Sequence, residues 1–297
     1  MRSIAEFEMI RPLGIESSYG FALLRIAASP CPWYSFPMKS NLKSRLRSGE
    51  ILFGSFVTTG SADIVKIMAL AGFDFLVIDT EHGAMSVETA VQLVRAAEIH
   101  RVPSIIRVTD SADSTILRSL DIGTAGMQVP QVNSIEQARR IVRAAHYHPK
   151  GHRGLAMPRA AGYGSMPIKE YFDKSLKETL VIAQCESSEG LDAVEKIAAI
   201  GDVDVIFLGP FDLSHSLGIP GQVENERIRE AERRIVAACE ACGKAAGIFV
   251  VNGEAAARRA EEGFRYITIS MEAMLLSEAA RGALETAKGA SSRRMNT

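Results

Sequence analysis

The chain has 297 residues, 47% of them hydrophobic and 23% charged, the makeup of an ordinary globular protein with one large domain or two small ones. Thirty-four Lys and Arg stand against 35 Asp and Glu, a net charge of −1 with no block of like charge, so binding to nucleic acid or a membrane surface has no electrostatic support. No apolar run approaches the roughly 20 residues of a membrane-spanning helix.

Residues 1–37 read differently from the rest. A mildly apolar stretch at 20–29 is interrupted by Arg25 and followed by Ser29-Pro30-Cys31-Pro32-Trp33, which breaks any helix. Glu6 and Glu8 occupy the start region that a signal peptide would make basic. Met38-Lys39-Ser40-Asn41 has the look of a natural beginning. The expectation is a poorly ordered extension or over-long gene start at 1–37, one domain over 38–290 and a disordered tail over 291–297.

From residue 50 onward, short β-rich runs alternate with helical patterns. Strands are expected at 51–57, 74–79, 104–108, 126–130, 179–186, 203–209, 245–251 and 266–270. Their apolar character is nearly continuous, as strands buried on both faces require. Amphipathic stretches lie between them, one over 61–71 and one over 86–100. Ser61, Ser86, Ser134, Ser188 and Asn252 are plausible N-caps. Eight strands alternating with helices over some 250 residues predict an α/β protein with a (β/α)8 TIM barrel. A doubly wound open sheet is the alternative, but Thr58-Thr59-Gly60-Ser61 after the first strand is no glycine fingerprint, and there is no P-loop. One connection, from about 146 to 178, is unusually long and begins rich in Gly, Arg and His, which suggests a functional or mobile loop.

Four cysteines are present: Cys31, Cys185, Cys239 and Cys242. Cys239 and Cys242 form a lone C-x-x-C in a helical segment, without the second ligand pair that a zinc site needs, so helix packing is the expectation. The pattern fits a reduced, cytoplasmic protein.

Barrel enzymes build their sites at the C-terminal ends of strands. There this chain places Asp79-Thr80-Glu81-His82-Gly83, then Arg107, Gln128, Gln184 with Glu186, and Gly209-Pro210-Phe211-Asp212. Each has a plainer explanation. Arg107 could cap a helix or pair with a surface acid, His82 could be an ordinary loop residue, Asp79 could cap the next helix, and Asp212 could be the N-cap of a helix from Leu213. Glu186 is harder to dismiss: a glutamate closing an apolar strand, on the same side as Gln184, needs a partner or a metal if it points inward.

The combination implies a chemistry. Two carboxylates plus water suit Mg²⁺ or Mn²⁺, with positions open for substrate. An α-keto acid would chelate such an ion, which stabilises an enolate as a Lewis acid. Arg107 would add positive charge at the enolate oxygen. His82 has the intrinsic pKa of a proton acceptor near neutrality, and Asp79 is the candidate to orient or polarise it. A Schiff-base aldolase needs an interior lysine, and no strand run contains one; Lys244 precedes the seventh strand, at the wrong end.

At these residues the chain resembles the metal-dependent (class II) pyruvate aldolases of the 4-hydroxy-2-oxoheptanedioate aldolase/citrate lyase family, which includes 2-keto-3-deoxysugar-acid aldolases. The resemblance spans about residues 40–288. It rests on six segments in order: 75–83 ending in Asp79-Thr80-Glu81-His82-Gly83; Arg107-Val108; Leu120 to Gly126; Gly151-His152-Arg153-Gly154; Gln184-Cys185-Glu186-Ser187; and Gly209 to Ser214. It implies a barrel of the phosphoenolpyruvate/pyruvate type, in homo-trimers or homo-hexamers that exchange the last helix. It makes His82 the proton acceptor and Arg107 the enolate-stabilising residue. Glu186 and Asp212 become ligands of a divalent cation (Mg²⁺, Mn²⁺ or Co²⁺). Gln184, Arg107, Asp212 and the backbone at Phe211 become pyruvate contacts. Asp121 matches an acid that raises the basicity of the histidine; it precedes the fourth strand, at the far end of a barrel, so only a neighbouring subunit would deliver it to His82. The loop with Arg153, Arg159 and Tyr163 is expected to meet the aldehyde.

The reaction implied is reversible aldol cleavage of a 4-hydroxy-2-oxo acid to pyruvate and an aldehyde. A CoA-thioester lyase of the citrate or malyl-CoA kind, an oxaloacetate decarboxylase using the same enolate site, and a non-catalytic barrel are the alternatives. The short chain after the eighth strand counts against the first, and the presence of His82, Arg107, Glu186 and Asp212 together against the last.

Overall fold

The structure, a computed structural model, describes residues 41–295, with side chains to residue 288. The expected extension at 1–37 lies outside the described residues. Eight parallel strands pair in sequence order and close into a barrel. They are β1 (Leu52–Val57), β2 (Phe75–Asp79), β3 (Ser104–Arg107), β4 (Gly126–Val129), β5 (Leu180–Cys185), β6 (Val205–Leu208), β7 (Ala245–Val250) and β8 (Phe264–Met271). All eight expected strands are present, with ends shifted by no more than a couple of residues. The helices up to β5 are α1 (Leu42–Arg47), α2 (Ala62–Leu70), α3 (Val87–Ile99), α4 (Asp113–Asp121), α5 (Ile135–Ala145) and α6 (Ile168–Glu178). After it come α7 (Ser188–Asp192), α8 (Val194–Ala198), α9 (Pro210–Ser216), α10 (Glu226–Ala241), α11 (Gly253–Glu261) and α12 (Glu272–Met295).

Alternation along each strand divides the core into two layers. In β2, Leu76 and Ile78 face the helices. Phe75 and Val77 face the barrel axis, with Phe56, Ile105, Ile182, Phe207 and Tyr266. The axial layer is aromatic. Phe75 stacks on Tyr266 at 4.2 Å between centroids, and Phe207 meets Tyr266 edge-on at 6.0 Å. The fit depends on Gly54, where a Cβ would lie 2.2 Å from the Phe75 ring. Below this layer, α1 closes the N-terminal end of the barrel through Leu42 and Leu46. Lys43, fully buried there, donates to Thr179 O and pairs with Asp204, both at 2.9 Å. This interior lysine was not anticipated. It sits at the closed end, so the strand ends at the other mouth still carry none.

Local signals explain most helix starts. Ser61, Ser86, Ser134 and Asn252 each accept a backbone N–H three residues on. Three expectations change. The cap near β5 is Ser187, which accepts from Gly190 N, and Ser188 is the first helical residue. Asp212 is not an N-cap: Gly209 caps α9 and Pro210 takes its first position, where a missing N–H costs nothing and the fixed φ suits a helix. The long connection is partly helical, holding a 3-10 turn at Arg159–Gly164 and the whole of α6. Cys239 is buried in α10 and Cys242 ends that helix, as helix packing requires.

The last helix behaves differently from the others. Glu272, buried at its first turn, accepts the backbone N–H groups of Thr58 and Thr59. Residues 276–288 are then exposed throughout, with Leu276 and Leu284 among them. The expected tail over 291–297 overlaps the end of this helix. No helix among the described residues is long and apolar enough to cross a membrane.

The aromatic layer yields a prediction. Gly54→Ala forces the Phe75 ring off Tyr266, and overpacking of this kind costs about 1–3 kcal/mol. Urea denaturation should show a lower midpoint with an unchanged slope.

Candidate active site

The inward parity that places Phe75 and Val77 in the core continues to Asp79. Ile105 leads in the same way to Arg107, and Ile182 to Gln184 and then Glu186. Register brings them level: Asp79 pairs with Arg107, and Arg107 with Gln128. A polar ring therefore crowns the aromatic layer.

Its first half is a buried fork. Arg107 donates from Nε to Asp79 Oδ1 at 2.9 Å and from Nη2 to Asp79 Oδ2 at 2.5 Å. Nη1 lies 3.2 Å from Glu81 Oε2, and the guanidinium sits 4.6 Å over the Phe56 ring. A bidentate pair held against an aromatic face has one orientation. Asp79 also accepts the backbone N–H of Glu81 at 3.1 Å and of His82 at 3.3 Å, and Thr80 Oγ1 donates to Arg107 O at 2.6 Å. The loop carrying His82 is thus tied to the ends of β2 and β3. The expectation for Asp79 is corrected here. Its carboxylate holds Arg107 and the loop backbone, and the acid beside the imidazole is Glu81, whose Oε2 lies 3.8 Å from His82 Nε2. The imidazole itself is 65% exposed, at the rim.

The second half is a chain of amides and acids. Gln128 Nε2 donates to Gln184 Oε1 at 2.5 Å, and Gln184 Nε2 donates to Glu186 Oε2. Glu186 Oε1 accepts from the backbone N–H of Gln131 at 2.8 Å, a residue in the left-handed region at φ 53°. A Cβ on Gly209 would lie 2.6 Å from Glu186 Oε2, so a glycine there leaves the carboxylate its space. Asp212 follows in the first turn of α9, exposed.

Electrostatics tie the halves together. Burial pushes Glu186 up to about 7, against the hydrogen bonds from Gln184 and Gln131, while the charges of Asp212 and Glu81 push it further. Burial also raises Glu81, offset by Arg107 and reinforced by Asp79 and Asp212. With Asp79 matched by Arg107, three acids remain (Glu81, Glu186 and Asp212), and the charge of Asp212 helps to raise both Glu81 and Glu186. That excess of negative charge and its oxygen donors fit a divalent cation. Among the described residues no group of three or more His, Cys, Asp or Glu is placed to hold a metal ion, and Glu186 and Asp212 are the two acids that would hold one here.

Two sequence candidates lie elsewhere in this chain. Asp121, at the end of α4, accepts from Arg153 Nη2 at 2.6 Å, and Arg153 lies 4.9 Å from the Tyr147 ring. Arg153 lines a cavity of about 490 Å³ with Ser104, Ala125 and Thr179, at the starts of β3, β4 and β5. Arg159 is at the same end, bonded to Glu98 and Ile122 O. Arg153 is therefore corrected as a substrate contact within its own chain: the loop after α5 runs down to the N-terminal face, where Asp121 neutralises it. Glu81, Gln131 and Phe56 went unremarked in the sequence. Glu81 had a signal, since it shares the parity of Asp79 one step further on. Phe56 was indistinguishable from core.

Residues 52–279 match the HpcH/HpaI aldolase/citrate lyase family. A hydroxypyruvate/pyruvate aldolase of Paraburkholderia phytofirmans is 37% identical over 251 residues, covering 82% of this chain and 96% of that protein. A 2-keto-3-deoxy-L-rhamnonate aldolase of Escherichia coli K12 is 32% identical, covering 82% of this chain and 91% of that one. The crystal structure of a family protein from Burkholderia cenocepacia superposes with a TM-score of 0.80 at 35% identity, covering 84% of this chain and all of that one.

The raised Glu186 sets a pH dependence. Its folded value, about 7, exceeds the ordinary 4.5. Below about pH 4.5 the group is protonated in both the folded and the unfolded chain and costs nothing. As pH rises through 7 the folded protein must hold a buried charge, and stability on the order of 3 kcal/mol is lost. In chelator, Glu186→Gln should be more stable than the parent at pH 8 and lose that advantage near pH 4.5. Chemical denaturation at the two pH values measures it.

Proposed function

The chain belongs to the HpcH/HpaI aldolase/citrate lyase family and is a carbon–carbon lyase of the class II pyruvate aldolase kind. We propose that it cleaves a 4-hydroxy-2-oxo acid, of the 2-keto-3-deoxy acid or 4-hydroxy-2-oxoheptanedioate type, reversibly to pyruvate and an aldehyde. The observation that carries this reading is the buried Asp79–Arg107 fork set level with Gln128, whose amide leads through Gln184 to Glu186 at the same barrel mouth. A bound Mg²⁺, Mn²⁺ or Co²⁺ supplies Lewis-acid stabilisation of the 2-oxo group and its enolate.

The side chains do the rest. Glu186 and Asp212 hold the cation. Arg107, fixed by Asp79, presents positive charge where the enolate oxygen develops, with no reorganisation during the reaction. Gln184, held by Gln128, and the backbone at Phe211 position the keto acid. His82, on the tied loop at the exposed rim, takes the proton of the C4 hydroxyl in cleavage and returns it in condensation. Glu81 stands beside it, with Oε2 3.8 Å from His82 Nε2. The C3–C4 bond breaks, the aldehyde leaves, and protonation of the enolate carbon gives pyruvate.

Assembly completes the reading. Residues 276–288 of α12 stand clear of their own barrel with Leu276 and Leu284 exposed, which supports a homo-oligomer that exchanges this helix. Asp121 uses one oxygen on Arg153, leaving the other to act on His82 of a neighbouring subunit. The CoA-thioester lyase and the oxaloacetate decarboxylase share the enolate half of the site; nothing in the geometry favours either.

The test starts from the half-reaction. With Mg²⁺ or Mn²⁺, the protein should exchange the methyl protons of pyruvate with D₂O, lose the exchange in EDTA and recover it on adding metal. Arg107→Ala should slow exchange about 10²–10³-fold, the loss typical of one oxyanion donor. Full exchange in chelator, with borohydride trapping of pyruvate, would overturn the metal-dependent reading. A screen of 2-keto-3-deoxy acids and 4-hydroxy-2-oxo diacids for pyruvate release identifies the substrate.

A further inference from the structure

The mouth of the barrel has an aromatic side as well as a polar one. Phe56, under the Arg107 guanidinium, meets Phe249 on β7 at 5.9 Å between centroids. Phe249 meets Phe211 at 6.1 Å, edge-on. Phe211 stands beside Asp212 at the start of α9 and is 46% exposed. The three rings make one path from the group assigned to the enolate oxygen out to the rim.

The Phe211 ring, continuous with Phe249, leaves a face open to an apolar group beside the polar cluster. The polar partners around it matter as much. Glu81 and Asp212 are acidic. Arg107 is committed to Asp79, Glu81 and, in the aldolase reading, the enolate oxygen. Arg153 and Arg159 are engaged with Asp121 and Glu98 at the opposite end. Among the described residues of this chain a carboxylate on the incoming aldehyde would meet acids and phenyl rings, and a neighbouring subunit that brings Asp121 to His82 brings Arg153 already neutralised by that Asp121. A hydroxylated chain would lose water against the rings without replacing its hydrogen bonds.

Resting on the aldolase reading above, we propose that Phe249 and Phe211, backed by the buried Phe56, form the wall of the acceptor subsite and select an uncharged aldehyde with an aromatic or bulky apolar substituent. The aldehyde carbonyl faces the polar ring and His82, and its substituent lies on Phe249 and Phe211. Phe56 backs the wall and also steadies Arg107, so the outer two rings are the ones to vary.

The experiment measures kcat/KM for condensation of pyruvate with benzaldehyde, succinic semialdehyde and glycolaldehyde by the Mg²⁺-loaded full chain. Benzaldehyde should exceed each of the others by about tenfold or more, the discrimination that a well-filled apolar pocket supplies. Phe211→Ala should cut the benzaldehyde-to-glycolaldehyde ratio about tenfold, and Phe211→Leu by less. Phe249→Leu is the second probe, keeping volume if the alanine variant does not fold. A parent enzyme that prefers succinic semialdehyde or glycolaldehyde overturns the proposal, as does a ratio unmoved by changes at both positions. Pyruvate methyl-proton exchange without aldehyde separates the two readings: exchange without an apolar preference defeats this inference alone, and no exchange in the loaded enzyme defeats both.

Discussion

Everything at the mouth of this barrel depends on a period of two. Each strand sends alternate residues to the axis, and closure in parallel register puts those residues at matching heights. Along β2 and β3, and from β5 into the residue beyond it, the inward series passes from apolar to polar without changing side: Val77 to Asp79, Ile105 to Arg107, Ile182 to Gln184 and Glu186. The packed rings of Phe75, Phe207 and Tyr266 are the floor on which the polar ring stands. A slip of one residue in any of these strands would turn its site residue toward the helices. Site geometry and core packing are thus one constraint, and Gly54 serves both by leaving room for Phe75.

The charges on that floor are unbalanced by design of position. Asp79 and Arg107 cancel and lock one another, and what remains of the guanidinium reaches Glu81. Glu186 is then left buried with an amide and a backbone N–H, and pushed up to about 7. Its environment disfavours the bare carboxylate and favours either a proton or a metal. Arg107, by contrast, keeps its orientation through two carboxylates and a phenyl face. The site separates two environments: a rigid fixed cation at one side, and at the other a buried acid that would take a proton or a metal.

The fold was legible because it is written redundantly. Eight nearly continuous apolar runs, each followed by a capped helix, leave few topologies, and all eight strands lie where the pattern placed them. Misreadings were local. Pro210 moved the start of α9 back from Leu213, and α6 was hidden because its stretch follows a Gly- and Arg-rich loop. In the site, the polar residues at strand ends could be named because polar side chains in apolar runs are conspicuous. What each one touches could not. Asp79 was assigned to His82 by nearness in sequence, whereas the neighbouring strand offered it a guanidinium, a far stronger partner. Arg153 was assigned to the substrate with the long loop that carries it, and a buried charge goes where an acid waits, here Asp121 at the other end.

The pyruvate half of the site and the aldehyde half differ in how they can be read at all. Holding a keto acid needs charges and amides, and these stand out from the strands that carry them. An apolar acceptor wall needs phenyl rings, which in β1 and β7 are what any barrel interior would contain. Phe56 and Phe249 differ from Phe75 and Phe207 only in height along the axis, which depends on strand register and on where the polar ring begins. Phe211 is distinguished only by being left exposed at the rim. Specificity in such a barrel is therefore set where core packing runs out. The residue types do not change there, but the rings lose their last apolar neighbours, and the substrate takes the place of those neighbours.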